Sequence, residues 1–303
     1  MKGIKASEDS RGQGSPQTRD VDVLLALAQY RYLSTLQIER LLYPSRRVAN
    51  RRLAVLADHG LVHRFRRLAV PGHGSNEFIY YLSAAGAVEA AARLGQEHVA
   101  YPRPKDRTPA GMDHLLGIIQ FWLALDLACQ ERKLEVFQFW PEWQSREETP
   151  RFSSAIADET PDLSDVSRRI RFRPDAVFIL SRAGKRALFF LEVDWQTEAI
   201  RGGNSKAFAD KFVAYASYRQ HGGFRRYGED FRGFRVLTTW TASARMHNAR
   251  AAAAELGLRQ MILFAPFVQI TPEAILERIW LCPGRDGETE PVGLVDGPPE
   301  AQI

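Results

Sequence analysis

The sequence predicts an α/β protein, α+β overall, made of two modules: an N-terminal module of helices with one hairpin, and a mixed-sheet module with helices on its faces. Three observations predict it. Residues 20–96 run helix, helix, helix, hairpin, helix. Residues 109–281 alternate helix-like and strand-like segments in the order αβββαβαβα. The 303 residues are also enough for two domains of ordinary size. The chain is 45% hydrophobic and 25% charged, as folded proteins are. Its two cysteines, Cys129 and Cys282, argue against a disulfide framework or a cysteine zinc site. No apolar run approaches the ~18 residues a membrane span needs. Residues 1–19 lack the apolar core of a signal peptide, so the expectation is a soluble, cytoplasmic protein with no membrane partner.

The first module is punctuated by capping residues. Asp20 can cap a short apolar helix, Val21 to Tyr30. Ser34 can cap a second, Thr35 to Tyr43, whose apolar stripe is Leu36, Ile38, Leu41 and Leu42 and which Pro44 stops. Ser45 can cap a third, Arg46 to His59, ending at Gly60 in a left-handed position. On that helix Ala49, Leu53 and Leu56 form the core stripe, and Arg46, Arg47, Asn50 and Arg51 fall mostly on the other side. Leu61 to Val70 and Glu77 to Leu82 read as a hairpin around a Pro/Gly-rich loop. Ser83 caps a last helix to about Leu94. Three helices, a two-stranded hairpin and a helix make the winged-helix variant of helix-turn-helix.

The charge distribution points to a partner. The net charge is +5, but residues 283–303 carry one base, Arg285, against five acids, so the rest of the chain carries +9. That Pro/Gly-rich acidic segment (282–303) reads as a disordered tail, residues 1–19 as another, and 97–108 as a linker. From Arg46 to Arg67 there are seven arginines and one acid, Asp58. Arg46, Arg47, Asn50 and Arg51 stand where a recognition helix reaches base edges, since Arg pairs with guanine and Asn with adenine. Arg64, Arg66 and Arg67 stand on the wing, where phosphate contacts are made. The expected partner is double-stranded DNA. A solvated basic face on a protein-interaction domain is the bland alternative.

In the second module, Pro109 to Glu131 reads as a long helix and Lys133 to Trp140 as a strand. Gln144 to Arg169 is a polar stretch expected to be irregular. Phe172 to Leu180 reads as a strand, Ser181-Arg182-Ala183-Gly184 as a hairpin turn, and Arg186 to Asp194 as a strand apolar enough to be buried on both faces. Helices at 205–219 and 242–256, strands at 234–239 and 261–265 and a final helix, Pro272 to Trp280, complete the order. Asp175 is 17 residues from Glu192, so the hairpin brings the two carboxylates together. Asp194, two residues on, shares the face of Glu192. Three converging acids repel one another, and a divalent metal or a shared proton is the usual reason to keep them. Oxygen ligands favour Mg²⁺ or Mn²⁺ over zinc. The alternative is an ion network with Arg171 or Arg173 and no metal.

Pro174-Asp175, a hairpin, and Glu192-Val193-Asp194 at the end of the next strand resemble the PD-(D/E)XK nuclease motif on an αβββαβ core. Over about residues 20–280 the chain resembles the replication-relaxation family of plasmid and mobile-element proteins, which includes MobC-type relaxases. In the first module the resemblance rests on Leu33-Ser34-Thr35-Leu36-Gln37-Ile38, Arg51-Arg52-Leu53-Ala54-Val55-Leu56, Gly60-Leu61-Val62, Tyr80-Tyr81-Leu82 and Gly86. In the second it rests on His114, Arg173-Pro174-Asp175-Ala176, Leu191-Glu192-Val193-Asp194, Thr197, Lys211 and Tyr215. The resemblance implies DNA binding at an origin of replication or transfer, and strand nicking in relaxase members, with Asp175 and Glu192 as metal ligands. The nuclease motif expects Lys where Asp194 stands, so the lysine would come from the following helix, from Lys211 or Lys206. Trp195-Gln196 replaces the middle of the family's Asp-Arg-Gly-Thr. The implied catalytic set is Asp175, Glu192, Asp194 and Lys211; His114 and Glu142 are further candidates beside it.

Two functional readings follow. One is a Mg²⁺-dependent DNA nickase of relaxase type. The other is a non-catalytic DNA-binding accessory factor or transcriptional regulator on a degenerate nuclease fold, with replication or mobilisation proteins as partners. A protein-interaction adaptor is a third class. No Gly-rich phosphate loop marks the chain as an NTPase.

Overall fold

The computed structural model describes residues 18–66, 77–102, 109–143, 156–163, 165–195, 205–285 and 289–295, with the backbone alone at 18, 109–110 and 205–209. It divides into two compact units, Met1–Thr108 and Pro109–Ile303. Among the described residues there are seven α-helices, and the largest sheet is mixed and five-stranded. The fold is α/β.

The first unit runs α1 (Thr18–Tyr30), β1 (Leu33–Ser34), α2 (Thr35–Leu42), α3 (Arg46–Asp58), β2 (Val62–Arg66), β3 (Phe78–Leu82) and α4 (Ala84–Leu94). Ser34 and Gln37 form a full capping box on α2. Ser83 caps α4 by accepting from Gly86 N at 3.0 Å. Gly60 has φ +68°, as a left-handed position past α3 requires. Ser45 caps nothing with its side chain. Asp20 is not the cap of α1 either: it lies inside the first turn, 1% exposed, and its carboxylate accepts from Arg52 Nε at 3.0 Å and Tyr43 Oη at 3.3 Å. The strands form an antiparallel sheet in the order β1-β3-β2, so the hairpin gains a short third strand from the turn before α2.

The second unit runs α5 (Pro109–Arg132), β4 (Glu135–Pro141), β5 (Asp158–Pro161), β6 (Arg169–Phe172), β7 (Ala176–Arg182), β8 (Lys185–Asp194), α6 (Ser205–Gln220), β9 (Arg235–Trp240), α7 (Ser243–Glu255) and β10 (Ile262–Pro266). The main sheet is ordered β10-β9-β8-β7-β4, parallel from β8 to β10 and antiparallel from β8 to β4. Ala183 and Gly184 both have positive φ, which makes the β7–β8 turn one whose twist suits a hairpin. Alternation along β8 splits the core. Leu188 and Phe190 pack with Phe212, Tyr215 and Tyr218 of α6. On the other face, Phe178 and Phe189 stack, and Phe178 meets Phe121 of α5. Among the described residues one helical stretch, Gly111–Arg132, is long and apolar enough to cross a membrane, but 67% of its apolar window is buried in the fold, as in a core helix.

Several expectations are corrected. The polar stretch before Arg169 is not wholly irregular, because β5 pairs antiparallel with β6 across Asp158↔Phe172 to Pro161↔Arg169. The expected strand from Phe172 is thereby split, and Arg173-Pro174-Asp175 lies between β6 and β7 rather than in a strand. Residues 272–280 make turns instead of a helix: Trp280 Nε1 donates to the Ile275 carbonyl at 2.8 Å, taking the acceptor a helix would use. The acidic tail is folded at 289–295. Val292 pairs with Trp280 and Leu294 is fully buried, two apolar residues that the Pro/Gly-rich average conceals.

Candidate functional site

The site sits where β8 ends and β7 begins. Asp175 N donates to Leu191 O at 3.0 Å, and the Asp175 carboxylate accepts from Val193 N at 2.6 Å. The same register carries Glu142, whose amide donates to Asp175 O at 2.8 Å just past β4. From α5, His114 brings Nε2 to 3.1 Å from Asp175 Oδ1 and 3.9 Å from Glu142 Oε1. One ligand atom from each of His114, Glu142 and Asp175 lies within 4.8 Å of the others. Arg173 closes the rim at 3.1 Å from Glu142 Oε2.

Glu192 points to the α6 face by strand alternation. Lys211 and Tyr215, one helical turn apart on α6, each donate to one of its carboxylate oxygens. Asp194 shares that face but leaves the group: Arg245 of α7 grips it with Nε at 2.8 Å and Nη2 at 2.7 Å. The expected ion network therefore exists for Asp194, though its partner is Arg245. Arg171 instead faces Glu159 at 3.5 Å.

The electrostatics follow from burial of many charges in one place. Burial pushes the Glu192 carboxyl up to about 7, with Asp175 adding to the rise and Lys211 and Tyr215 opposing it. Burial and the Asp175 charge also raise Glu142, against His114, Arg173 and Lys211. Burial alone would raise Asp175, yet the His114 hydrogen bond, the His114 and Lys211 charges and the Val193 amide hold it below the ordinary value. His114 and Lys211 are both penalised by burial and both held above their ordinary values by the surrounding carboxylates. Burial lifts the Tyr215 hydroxyl well above its usual value, and Glu192 adds to the effect. The result is a half-buried cluster that favours the charged forms of Lys211 and Asp175 and the protonated forms of Glu192 and Glu142.

The replication-relaxation family model matches residues 24–231, more than half of the chain. The chain belongs to the replication-relaxation family. Membership points to a role connected with replication or mobilisation. No curated protein and no solved structure matches the chain.

In this replication-relaxation protein Arg47, Asn50 and Arg51 are exposed on one side of α3, opposite buried Ala49, Leu53 and Leu56. Arg64 and Arg66 are exposed on β2. Arg46 is different: its guanidinium is 2.9 Å from Glu77 Oε1 and 3.7 Å from Glu39 Oε2. The side chain of Lys206, and residues Arg67, Gln196 and Thr197, lie outside the described residues. Motif order singles out Asp175 and Glu192 as the metal pair, but both Glu192 oxygens are taken by Lys211 and Tyr215, and the three ligand atoms that cluster are those of His114, Glu142 and Asp175, which also hold one another and Arg173. Spacing held two usable signals, the 17 residues from Asp175 to Glu192 across the hairpin and the i, i+4 pair Lys211 and Tyr215. Nothing in it foretold that Arg245 would capture Asp194, 51 residues away.

Proposed function

We propose that this protein binds double-stranded DNA through its first unit, at an origin of replication or transfer of a plasmid or other mobile element. The second unit then breaks a phosphodiester bond there as a metal-dependent, site-specific nickase of relaxase type. The observation that carries the catalytic part is the meeting of His114, Glu142 and Asp175 within 4.8 Å, beside the Glu192–Lys211 pair. DNA binding is supported by the exposed Arg47, Asn50 and Arg51 on one face of α3, which suit a winged helix. A DNA partner puts the role in the cytoplasm, alongside replication or mobilisation proteins.

With the His114 nitrogen deprotonated, the donor set would fit a divalent cation, which would take the place of the His114–Asp175 hydrogen bond. Two carboxylate oxygens suit Mg²⁺ or Mn²⁺, and the imidazole nitrogen tilts the set towards Mn²⁺. When bound, such an ion supplies a more acidic water and charge for the phosphoryl group. The chain's own residues do the rest. Asp175, fixed by the Val193 amide, holds the ligand geometry. Lys211, with its side chain 28% exposed, presents an ammonium to a phosphate oxygen. Glu192, itself fixed by the Tyr215 hydroxyl, holds that ammonium in place. Asp194, bound to Arg245, supports the end of β8 instead of touching substrate.

The test is nicking of supercoiled plasmid carrying the cognate origin, with Mg²⁺ or Mn²⁺. Wild type nicks, while Asp175→Ala and Lys211→Ala do not; equal cleavage by all three overturns the assignment. The second reading is a DNA-binding accessory factor or regulator without catalysis. It is favoured by the closure of both Glu192 oxygens and by Asp194 in the place of the motif lysine. A Mn²⁺-dependent rise in melting temperature that Glu142→Gln abolishes supports the nickase; no rise in wild type supports the accessory factor.

A further inference from the structure

Arg46 and the pair Arg64 and Arg66 are held in two different ways, and the dipeptide Glu77-Phe78, where β3 begins, does both. Glu77 Oε1 accepts from Arg46 Nη2 at 2.9 Å and from the amide of Leu36 in the first turn of α2 at 2.7 Å. That contact neutralises Arg46. Phe78 acts on the neighbouring pair. Arg64 and Arg66 are two apart on β2, so they share a face, with their Cα atoms ~7 Å apart. The register sets Arg66 opposite Phe78 and Arg64 opposite Tyr80. Both guanidinium groups lie over the half-buried Phe78 ring, at 4.7 Å and 5.1 Å from its centroid. Among the described residues neither arginine has a carboxylate partner. A ring face attracts a cation through its quadrupole and leaves the full charge available to an anion.

We infer that Phe78 is a positioning residue that presets Arg64 and Arg66 as a two-pronged clamp for the phosphates of one DNA strand. The inference rests on the DNA-binding reading. Long arginine side chains lose rotamer freedom when they grip a phosphate. Phe78 takes that loss in the free protein, so binding is tighter although the ring touches no DNA. Glu77 sets the boundary of the clamp by withdrawing Arg46 from the charges that face the backbone. This assigns Arg46 to the junction of α2, α3 and β3 and leaves Arg47, Asn50 and Arg51 to the bases.

The experiment measures binding of a fluorescein-labelled mixed-sequence duplex to the full chain by anisotropy across a salt series. The proteins are wild type, Phe78→Leu, Phe78→Tyr, Arg64→Ala/Arg66→Ala, and the last combined with Phe78→Leu. The rotamer freedom returned to two arginine side chains is expected to weaken binding roughly tenfold in Phe78→Leu. The slope of log K against log salt stays unchanged, because the charges remain. Phe78→Tyr keeps the affinity. Arg64→Ala/Arg66→Ala lowers the slope by about 1.8, for two phosphates, and in that background Phe78→Leu has no further effect. If Phe78→Leu fails to fold, Phe78→Met carries the same comparison. The clamp is overturned if Phe78→Leu binds like wild type while the arginine pair weakens binding, or if its penalty persists undiminished without the arginines. Absence of any duplex binding by wild type at low salt overturns the DNA-binding reading itself, and the clamp with it.

Discussion

Replacing Gly86 by alanine tests how α4 docks. By propensity the change should help, since glycine inside a helix costs about 1 kcal/mol relative to alanine. The structure reverses the sign. A Cβ on Gly86 would stand 2.0 Å from the Leu61 carbonyl oxygen and 3.0 Å from its carbon. That carbonyl cannot swing away freely: it accepts from Ser83 N at 3.1 Å, and Ser83 Oγ donates to Gly60 O at 2.6 Å. Overpacking costs roughly 1–3 kcal/mol, and a weakened hydrogen bond about 1 kcal/mol more. Less the propensity gain, Gly86→Ala destabilises the first unit by about 2 kcal/mol, or roughly 10 °C for a domain of this size. All six tryptophans lie beyond residue 108, so tryptophan fluorescence follows the second unit alone. In a melt of the full chain the first-unit transition, seen by far-UV circular dichroism, should fall while the tryptophan transition stays put. A Gly86→Ala protein as stable as wild type, or more so, would refute the close-contact argument. Gly60 is the control: it has φ +68° and a Cβ placed there would meet nothing within 4 Å, so Gly60→Ala costs only the left-handed penalty of roughly 1–2 kcal/mol.

Three further outcomes follow. Arg51→Ala should weaken duplex binding and leave the melting temperature alone, whereas its neighbour Arg52→Ala removes the guanidinium from buried Asp20 and costs about 3–5 kcal/mol of stability; equal melting of the two variants would contradict the burial assignment. Asp194→Asn should lower the stability of the second unit by about 2 kcal/mol through the lost Arg245 pair, yet retain nicking under conditions where Asp175→Ala has none. The second unit should also be more stable near pH 5 than at pH 8. Glu192 is raised from 4.5 to about 7 in the fold, so its contribution is full below 4.5 and is lost as pH rises to about 7, by about 3 kcal/mol at most. His114, raised above 6.5, acts in the same direction, and Asp175, held low, acts only at acid pH. Glu192→Gln should flatten the difference between melts at the two pH values; an unchanged difference would mean that Glu192 does not titrate in this range.

Much of the fold was legible because local signals agreed with one another. Ser34, Ser83 and Gly60 marked helix ends, where Asp20 and Ser45 did not, and the apolar run of β8 marked a central strand. Residues 272–280 were less legible: their apolar spacing is helical, and the Trp280 indole on the Ile275 carbonyl, a contact that spacing does not announce, takes the place of a helical bond. Motif order named Asp175, Glu192 and Lys211, and the fold brings these three side chains into one cluster. His114 and Glu142 gained their weight only when β4, β7 and α5 met at Asp175.

By itself the sequence determined the two modules, most of their helices and the central strands, the arginine-rich face of α3 and the family. These depend on periodicity, capping and residue order, which act over a few residues. Tertiary structure alone decided which charges pair. Arg46 went to Glu77, Arg52 to Asp20 and Asp194 to Arg245, while Arg64 and Arg66 went to a ring. Each pairing joins residues from different elements, and the energy of a charge depends on its burial and its neighbours in space, which residue spacing does not encode.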